Sequence, residues 1–224
     1  MDGPAKAKWV ARRLLSHYGP RDIEHGNPVE TLITTILSQN TNDVNRDRAY
    51  RSLIDRFGSL AIVREARVSE IADSIRVGGL HRQKALRIRQ VLNRITTERG
   101  ALDLSFLADL SLPEAMDWLL ASPGVGKKTA GIVLLFSFDK PYFPVDTHIK
   151  RVTGRLGLLG NASDPHQRMN GILPSDTAMM KSLHLNLIQL GRDTCSPRMP
   201  ECSICPLRAE CDGRKDNQGN IMQG

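Results

Sequence analysis

Leu119-Leu120-Ala121-Ser122-Pro123-Gly124-Val125-Gly126-Lys127-Lys128-Thr129-Ala130 is the stretch that decides how this chain folds. An apolar segment runs into a Pro-Gly-x-Gly turn, and helix-forming residues resume at once, so two helices are joined by a tight hairpin. Two glycines in such a turn allow positive φ and leave backbone amides bare enough to meet an anion. The helix that follows adds its own unpaired N–H groups and the positive end of its dipole. The segment is built to grip a phosphate. Nothing in it reads a base, which suits a protein that meets any duplex. An ordinary interhelical turn has the same glycine pattern, and the two lysines after it favour the anion-binding reading.

Lys127 and Lys128 stand about 100° apart on the helix and cannot do the same job. Each has a like-charged neighbour and a helix N-terminus beside it, and both effects favour the neutral amine. A neutral lysine is a nucleophile toward a carbon such as a sugar C1′ and gives a Schiff base. The other reading is that both lysines bind phosphate, and the residues alone leave the two open. Eighteen residues on from Lys128 comes Asp146, in Pro144-Val145-Asp146-Thr147-His148. Asp146 reads as the N-cap of the next helix, with Thr147 and His148 in its first turn. A cap carboxylate could also stabilise a developing oxocarbenium ion, and His148 reads first as a packed or hydrogen-bonded histidine.

Outward from this segment the punctuation is helical, and the expected class is all-α. Pro4 to His17 carries apolar Trp9, Val10, Leu14 and Leu15 among basic residues and stops at Gly19-Pro20. Asn27-Pro28-Val29-Glu30 supplies an N-cap, a first-turn proline and a capping-box glutamate before a helix through Leu37. Ser111-Leu112-Pro113-Glu114 repeats that signature. Further helices are expected near 43–57, 69–76 and 81–98, then 147–157, 165–172 and 177–190. Strand-like alternation, tandem repeats and low-complexity linkers are absent.

The 224 residues make one large domain or two small ones. With 40% hydrophobic and 25% charged residues the composition is that of a folded globular protein, which excludes a disordered chain. No apolar run approaches the ~18 residues of a membrane span. The start, Met1-Asp2-Gly3-Pro4-Ala5-Lys6, lacks an apolar stretch with a cleavage site, so a cytoplasmic, nucleoid-associated or nuclear protein is expected rather than a secreted one. Thirty-one basic against 24 acidic residues, a formal +7, point to an anionic partner, nucleic acid first. The aromatic fraction of 4% is too low for stacking on base after base of a single strand, so a duplex backbone is the expected contact.

All four cysteines, Cys195, Cys202, Cys205 and Cys211, lie near the C-terminus with the spacing C-x6-C-x2-C-x5-C. A disulfide framework is improbable in a reducing compartment. Zinc would take two C-x2-C knuckles and only one is present. Two longer loops flanking a short one favour a [4Fe–4S] cluster, with zinc as the alternative.

Pro123-Gly124-Val125-Gly126-Lys127-Lys128-Thr129-Ala130, then Val145-Asp146-Thr147-His148, then the cysteine tail together resemble the endonuclease III group of helix–hairpin–helix DNA glycosylases. The resemblance runs from about residue 24 to Cys211 and joins three motifs in order. It implies two α-helical lobes with DNA in the cleft between them. One would be a six-helix barrel of 24–134 with the hairpin, the other 1–23 with 135–224, ending in the iron–sulfur loop. It implies Lys128 as Schiff-base nucleophile, Asp146 as catalytic carboxylate, and a basic residue at Lys127 that need not be catalytic. Gly124, Gly126, Lys127, Thr129 and His148 would contact DNA. The reaction would be excision of a damaged base followed by β-elimination at the abasic sugar, which nicks the strand.

Such an enzyme extrudes its target nucleotide and fills the hole. The fillers implied are Leu80, after Gly78-Gly79, and Gln39 or Asn40 in Leu37-Ser38-Gln39-Asn40-Thr41-Asn42-Asp43, where the family's glutamine falls one place later than Gln39. Ser122 replaces the leucine usual before Pro-Gly-Val-Gly, a change expected to loosen hairpin packing. The loop Ser196–Glu201 is less basic than is typical, so a weaker phosphate contact is expected there, with Arg192 and Arg208 compensating. Oxidised pyrimidines in duplex DNA are the expected substrate. The alternatives are removal of thymine or uracil opposite guanine, and a non-catalytic iron–sulfur DNA-binding module. Adenine removal would expect no lysine at 128 and a further domain, whereas the chain stops thirteen residues after Cys211. A single cleft around a duplex needs only a monomer.

Overall fold

The computed structural model describes residues 1–21 and 26–213. The boundary expected between 23 and 24 lies outside the described residues, as does the end of the expected C-terminal lobe, 214–224. Among the described residues the secondary structure is wholly helical. The helices are α1 (Gly3–Tyr18), α2 (Pro28–Leu37), α3 (Asp43–Phe57), α4 (Leu60–Glu65), α5 (Val68–Ser74), α6 (His81–Arg99), α7 (Leu112–Leu120), α8 (Lys127–Phe138), α9 (Thr147–Arg155), α10 (Pro165–Ile172) and α11 (Thr177–Asp193). Short 3-10 turns cover Arg76–Gly78, Ser105–Ala108 and Arg208–Glu210. No described helix is long and apolar enough to cross a membrane.

The described residues divide into two compact units, 26–138 and 1–21 with 139–213. In the first, α2 to α8 enclose one apolar core that runs from Leu32, Ile33 and Ile36 through Leu53, Ile71, Ile88 and Leu92 to Leu119 and Leu134. Helix α8 is covered almost all round: Thr129, Ala130, Gly131, Val133, Leu134, Leu135 and Phe136 are all buried. In the second unit α1 packs on α11 and α10, and α11 on α9. Its core includes Val10, Leu14, Phe143, Ile149, Leu183 and Leu187. Polar ties close it as well. Asn186 Nδ2 donates to Gly19 O at 3.2 Å, and the Lys6 ammonium meets Asp212 at 2.6 Å, joining the first helix to the cysteine segment.

The caps explain the boundaries. Asn27 Oδ1 accepts from the Val29 amide at 2.9 Å, with Pro28 in the first turn. The expected capping-box glutamate does something else: it bonds the Tyr50 hydroxyl, and burial, with the Glu30 charge and this bond adding, pushes Tyr50 up to about 12. Ser111 and Glu114 do form the reciprocal box before α7. Helix α9 ends at Arg155, short of the expected 157, because Gly157 takes φ +75° and turns the chain away. Helix α4 was not expected from the sequence. It is six residues long with only Val63 buried, too short to show a period, although Ser59 caps it.

Removing the box at α7 should be measurable. Ser111→Ala is expected to cost about 1 kcal/mol of stability, read as a lowered urea midpoint with an unchanged slope.

Candidate nucleic-acid and catalytic site

The hairpin is the turn between α7 and α8. Gly124 has φ +76°, and a Cβ built on it would collide with the Arg87 side chain that lies across the turn. Gly126 corrects the expectation of two positive-φ glycines. It is not among the described positive-φ residues, a Cβ there would meet open space, and its carbonyl accepts the first bond of α8 from Ala130 at 2.9 Å. Only Gly124 is demanded by conformation.

Lys127 is exposed and Lys128 half-buried, on different sides of α8, as the 100° step requires. Lys128 Nζ donates to Ser38 Oγ at 3.4 Å, at the C-terminus of α2. Thr129 is buried, so its side chain does not face a ligand and what it offers is its amide in the first turn of α8.

Ser122 does not loosen the hairpin. It is buried, and its hydroxyl accepts from Arg94 Nη1 at 2.6 Å, while the same guanidinium donates to Trp118 O at 2.8 Å and lies over the Trp118 ring. A polar tie takes the place of a leucine contact.

The candidate duplex-entering residues fall into two loops of this unit. Gln39 is half-buried and engaged at both ends: Nε2 donates to Gly124 O at 3.1 Å, and Oε1 accepts from Arg87 Nη1 at 2.9 Å. It props the hairpin. Asn40 is exposed, with φ +52°. Leu80 is 51% exposed with φ +46°, a left-handed backbone that leucine rarely adopts. A leucine both strained and in water calls for a function.

In the other unit Asp146 is the N-cap expected, its Oδ1 accepting from the Ile149 amide at 2.7 Å. The segment before it is held by side chains that sequence reasoning missed. Asn170 pairs with both backbone groups of Phe143, His166 Nδ1 accepts from the Val145 amide at 3.3 Å, and His184 Nδ1 lies 3.0 Å from Pro144 O. His148 is packed against Gly191, with Arg151 Nη2 3.2 Å from its Nδ1.

Arg151 and Arg155 are the platform of the cysteine loop. Arg151 donates to Gly191 O at 2.6 Å and to Cys195 O at 3.0 Å. Arg155 donates to Ser196 O and Pro197 O and, at 3.2 Å, to Cys195 Sγ, while its carbonyl accepts from the Cys211 thiol and the Gly213 amide. The only sequence signal for these arginines is their one-turn spacing on α9. None of the four cysteines is in a disulfide, and all are half-buried. Burial, with the nearby thiols adding, pushes Cys205 up to about 11 and raises Cys211. Among the described residues no three His, Cys, Asp or Glu donors already form a metal cage. The chemistry of the set, four thiols close enough to resist losing protons together, still fits a metal group that takes thiolates.

Residues 33–173 match the HhH-GPD superfamily of base excision DNA repair proteins. The chain belongs to that superfamily. It is 31% identical to an endonuclease III of Thermotoga maritima over 95% of each chain, and 36% identical to one of Sulfolobus acidocaldarius over 87% of this chain and 86% of that one. Among solved structures it superimposes on a non-covalent endonuclease III–DNA complex with TM-score 0.76 at 27% identity, covering 94% of this chain and 96% of the other. A trapped covalent endonuclease III–DNA intermediate matches with TM-score 0.77 at the same identity and coverage.

Gly124→Ala tests the α7–α8 turn. It must displace Arg87 and adopt an unfavourable φ, so a loss of about 1–3 kcal/mol is expected, read by thermal denaturation, with weaker duplex binding.

Proposed function

We propose that this protein is a bifunctional base-excision repair enzyme, a DNA glycosylase with abasic-site lyase activity, acting on oxidised pyrimidines in duplex DNA. The observation that carries it is a lysine amine, Lys128, half-buried in the first turn of a helix that begins at a phosphate-gripping hairpin, in a chain alike over most of its length to endonuclease III. The trapped covalent complex of a similar protein supports a covalent route.

In this reading the hairpin amides and Lys127 hold the backbone of the duplex, while Leu80 and Asn40 fill the space left by the extruded nucleotide. The Lys128 amine attacks C1′, and the C1′–N bond to the base breaks with its electron pair leaving on the base. The Lys128 nitrogen then gives up a proton, the C1′–O4′ bond breaks with O4′ taking a proton to become a hydroxyl, and the ring-opened sugar is held as an iminium. Loss of a C2′ proton then breaks the C3′–O bond and nicks the strand. Asp146 is the carboxylate that stabilises the positive charge developing on the sugar. Cys195, Cys202, Cys205 and Cys211 would hold a [4Fe–4S] cluster, with Arg155 steadying the first and last of them. The cluster would act as a structural cross-link that orders the last loop. Double-stranded DNA carrying the damaged base is the partner, and a monomer suffices.

Borohydride trapping on a thymine-glycol duplex, with a guanine–thymine mismatch duplex alongside, tests the function. A covalent complex on thymine glycol is expected, lost in Lys128→Gln with the fold retained. In Lys127→Gln trapping should persist while duplex affinity falls at low salt and depends less steeply on salt than in the parent. Trapping on the mismatch alone would move the substrate to thymine opposite guanine. No trapping by the parent on either duplex would overturn the lyase assignment. Iron and acid-labile sulfide assays should find both in the purified protein, and zinc in their place would exclude the cluster.

A further inference from the structure

Lys84 lies on α6 one turn after Leu80 and is 1% exposed. A buried ammonium is costly unless its donors are satisfied. Its Nζ donates to Leu37 O at 2.6 Å and to Gly78 O at 2.7 Å. Leu37 ends α2, so its carbonyl lacks an intrahelical amide and sits at the negative end of the helix dipole. The residues that follow it are Ser38, Gln39 and Asn40. Gly78 stands two places before Leu80. One cation therefore joins the roots of both loops that carry candidate duplex-entering residues. Those loops also hold two of the three described non-glycine residues at positive φ, Asn40 and Leu80, a conformation that persists only where neighbours enforce it. Burial pushes the Lys84 ammonium down to about 8, the cost of holding a charge there, which its two carbonyl bonds offset. A methionine would fill the same space and bond neither carbonyl.

We propose that Lys84 is a positioning residue that holds the 38–40 and 78–80 loops at one spacing, so that Asn40 and Leu80 enter a duplex together. This rests on the repair-enzyme reading above. Lys84 is placed to set where the fillers stand, without touching DNA or the reacting sugar.

The test compares the parent with Lys84→Met on a thymine-glycol duplex carrying 2-aminopurine beside the lesion, whose fluorescence reports unstacking. The single-turnover excision rate is expected to fall on the order of tenfold or more, with the fluorescence rise lost. Affinity for undamaged duplex and trapping on a preformed abasic site should stay near those of the parent. A folded Lys84→Met variant with parental excision and fluorescence overturns the proposal. So does an equal loss in every readout, which would mark a residue needed only for folding. If Lys84→Met does not fold, Asn40→Ala and Leu80→Ala decide, made singly and together in the otherwise unaltered chain. Non-additive losses in excision support the coupling, and strictly additive losses overturn it. A parent that neither excises nor traps sinks the repair-enzyme reading itself, an outcome distinct from failure at Lys84.

Discussion

Helix α8 has almost no solvent face. From Thr129 to Phe136 every residue but Ile132 is buried, so neither its axis nor its rotation can drift without opening the core. Its one exposed residue is Lys127, in the first turn, with half-buried Lys128 beside it. The amides of that turn, the approach of Arg87 over Gly124 and the bond from Lys128 to Ser38 all follow from holding this one helix still. A buried helix exposed only at its N-terminus delivers fixed donors to a mobile anion at little entropic cost.

Around that fixed point the surface loops are held by polar side chains rather than apolar ones. Arg94 ties the hairpin through Ser122 and Trp118, Arg87 and Gln39 brace Gly124, and Lys84 joins the α2–α3 turn to the Gly78-Gly79 turn. Arg94 also pairs with Glu98 at 2.7 Å, while Arg87, Gln39 and Lys84 spend these donors on backbone carbonyls or an uncharged side-chain oxygen. That choice suits a surface meeting phosphates, because a carboxylate partner in the same place would repel the ligand. The other unit uses the same device at Arg151 and Arg155, whose guanidiniums gather the carbonyls and a thiol of the cysteine loop.

The helices were legible because their ends are written in residue chemistry. Asn27, Ser111 and Asp146 cap where such residues cap, Gly19, Gly58 and Gly100 stop helices by taking positive φ, and prolines stand in first turns. The helix α4 escaped notice because one buried residue in six leaves no periodicity. The candidate nucleophile, carboxylate and thiols were visible because their spacing along the chain is itself the motif. Ser122 was misjudged for a different reason. Whether a small polar residue faces a ligand or the core depends on neighbours far away in sequence, here Arg94, which is 28 residues from Ser122.

The sequence by itself determined the all-helical class, most of the helix ends, the hairpin and the chemical types available in it, since capping, glycine conformation and thiol chemistry act within a few residues. Tertiary structure decided that Gln39 turns inward to brace the hairpin while Asn40 and Leu80 face water, that Gly124 and not Gly126 needs its glycine, and that Lys84 is buried. Those outcomes depend on which carbonyls and guanidiniums packing brings within about 3 Å, the range of a hydrogen bond. No local pattern encodes that distance, because the partners of Gln39, Arg94 and Lys84 include groups 28 to 85 residues away.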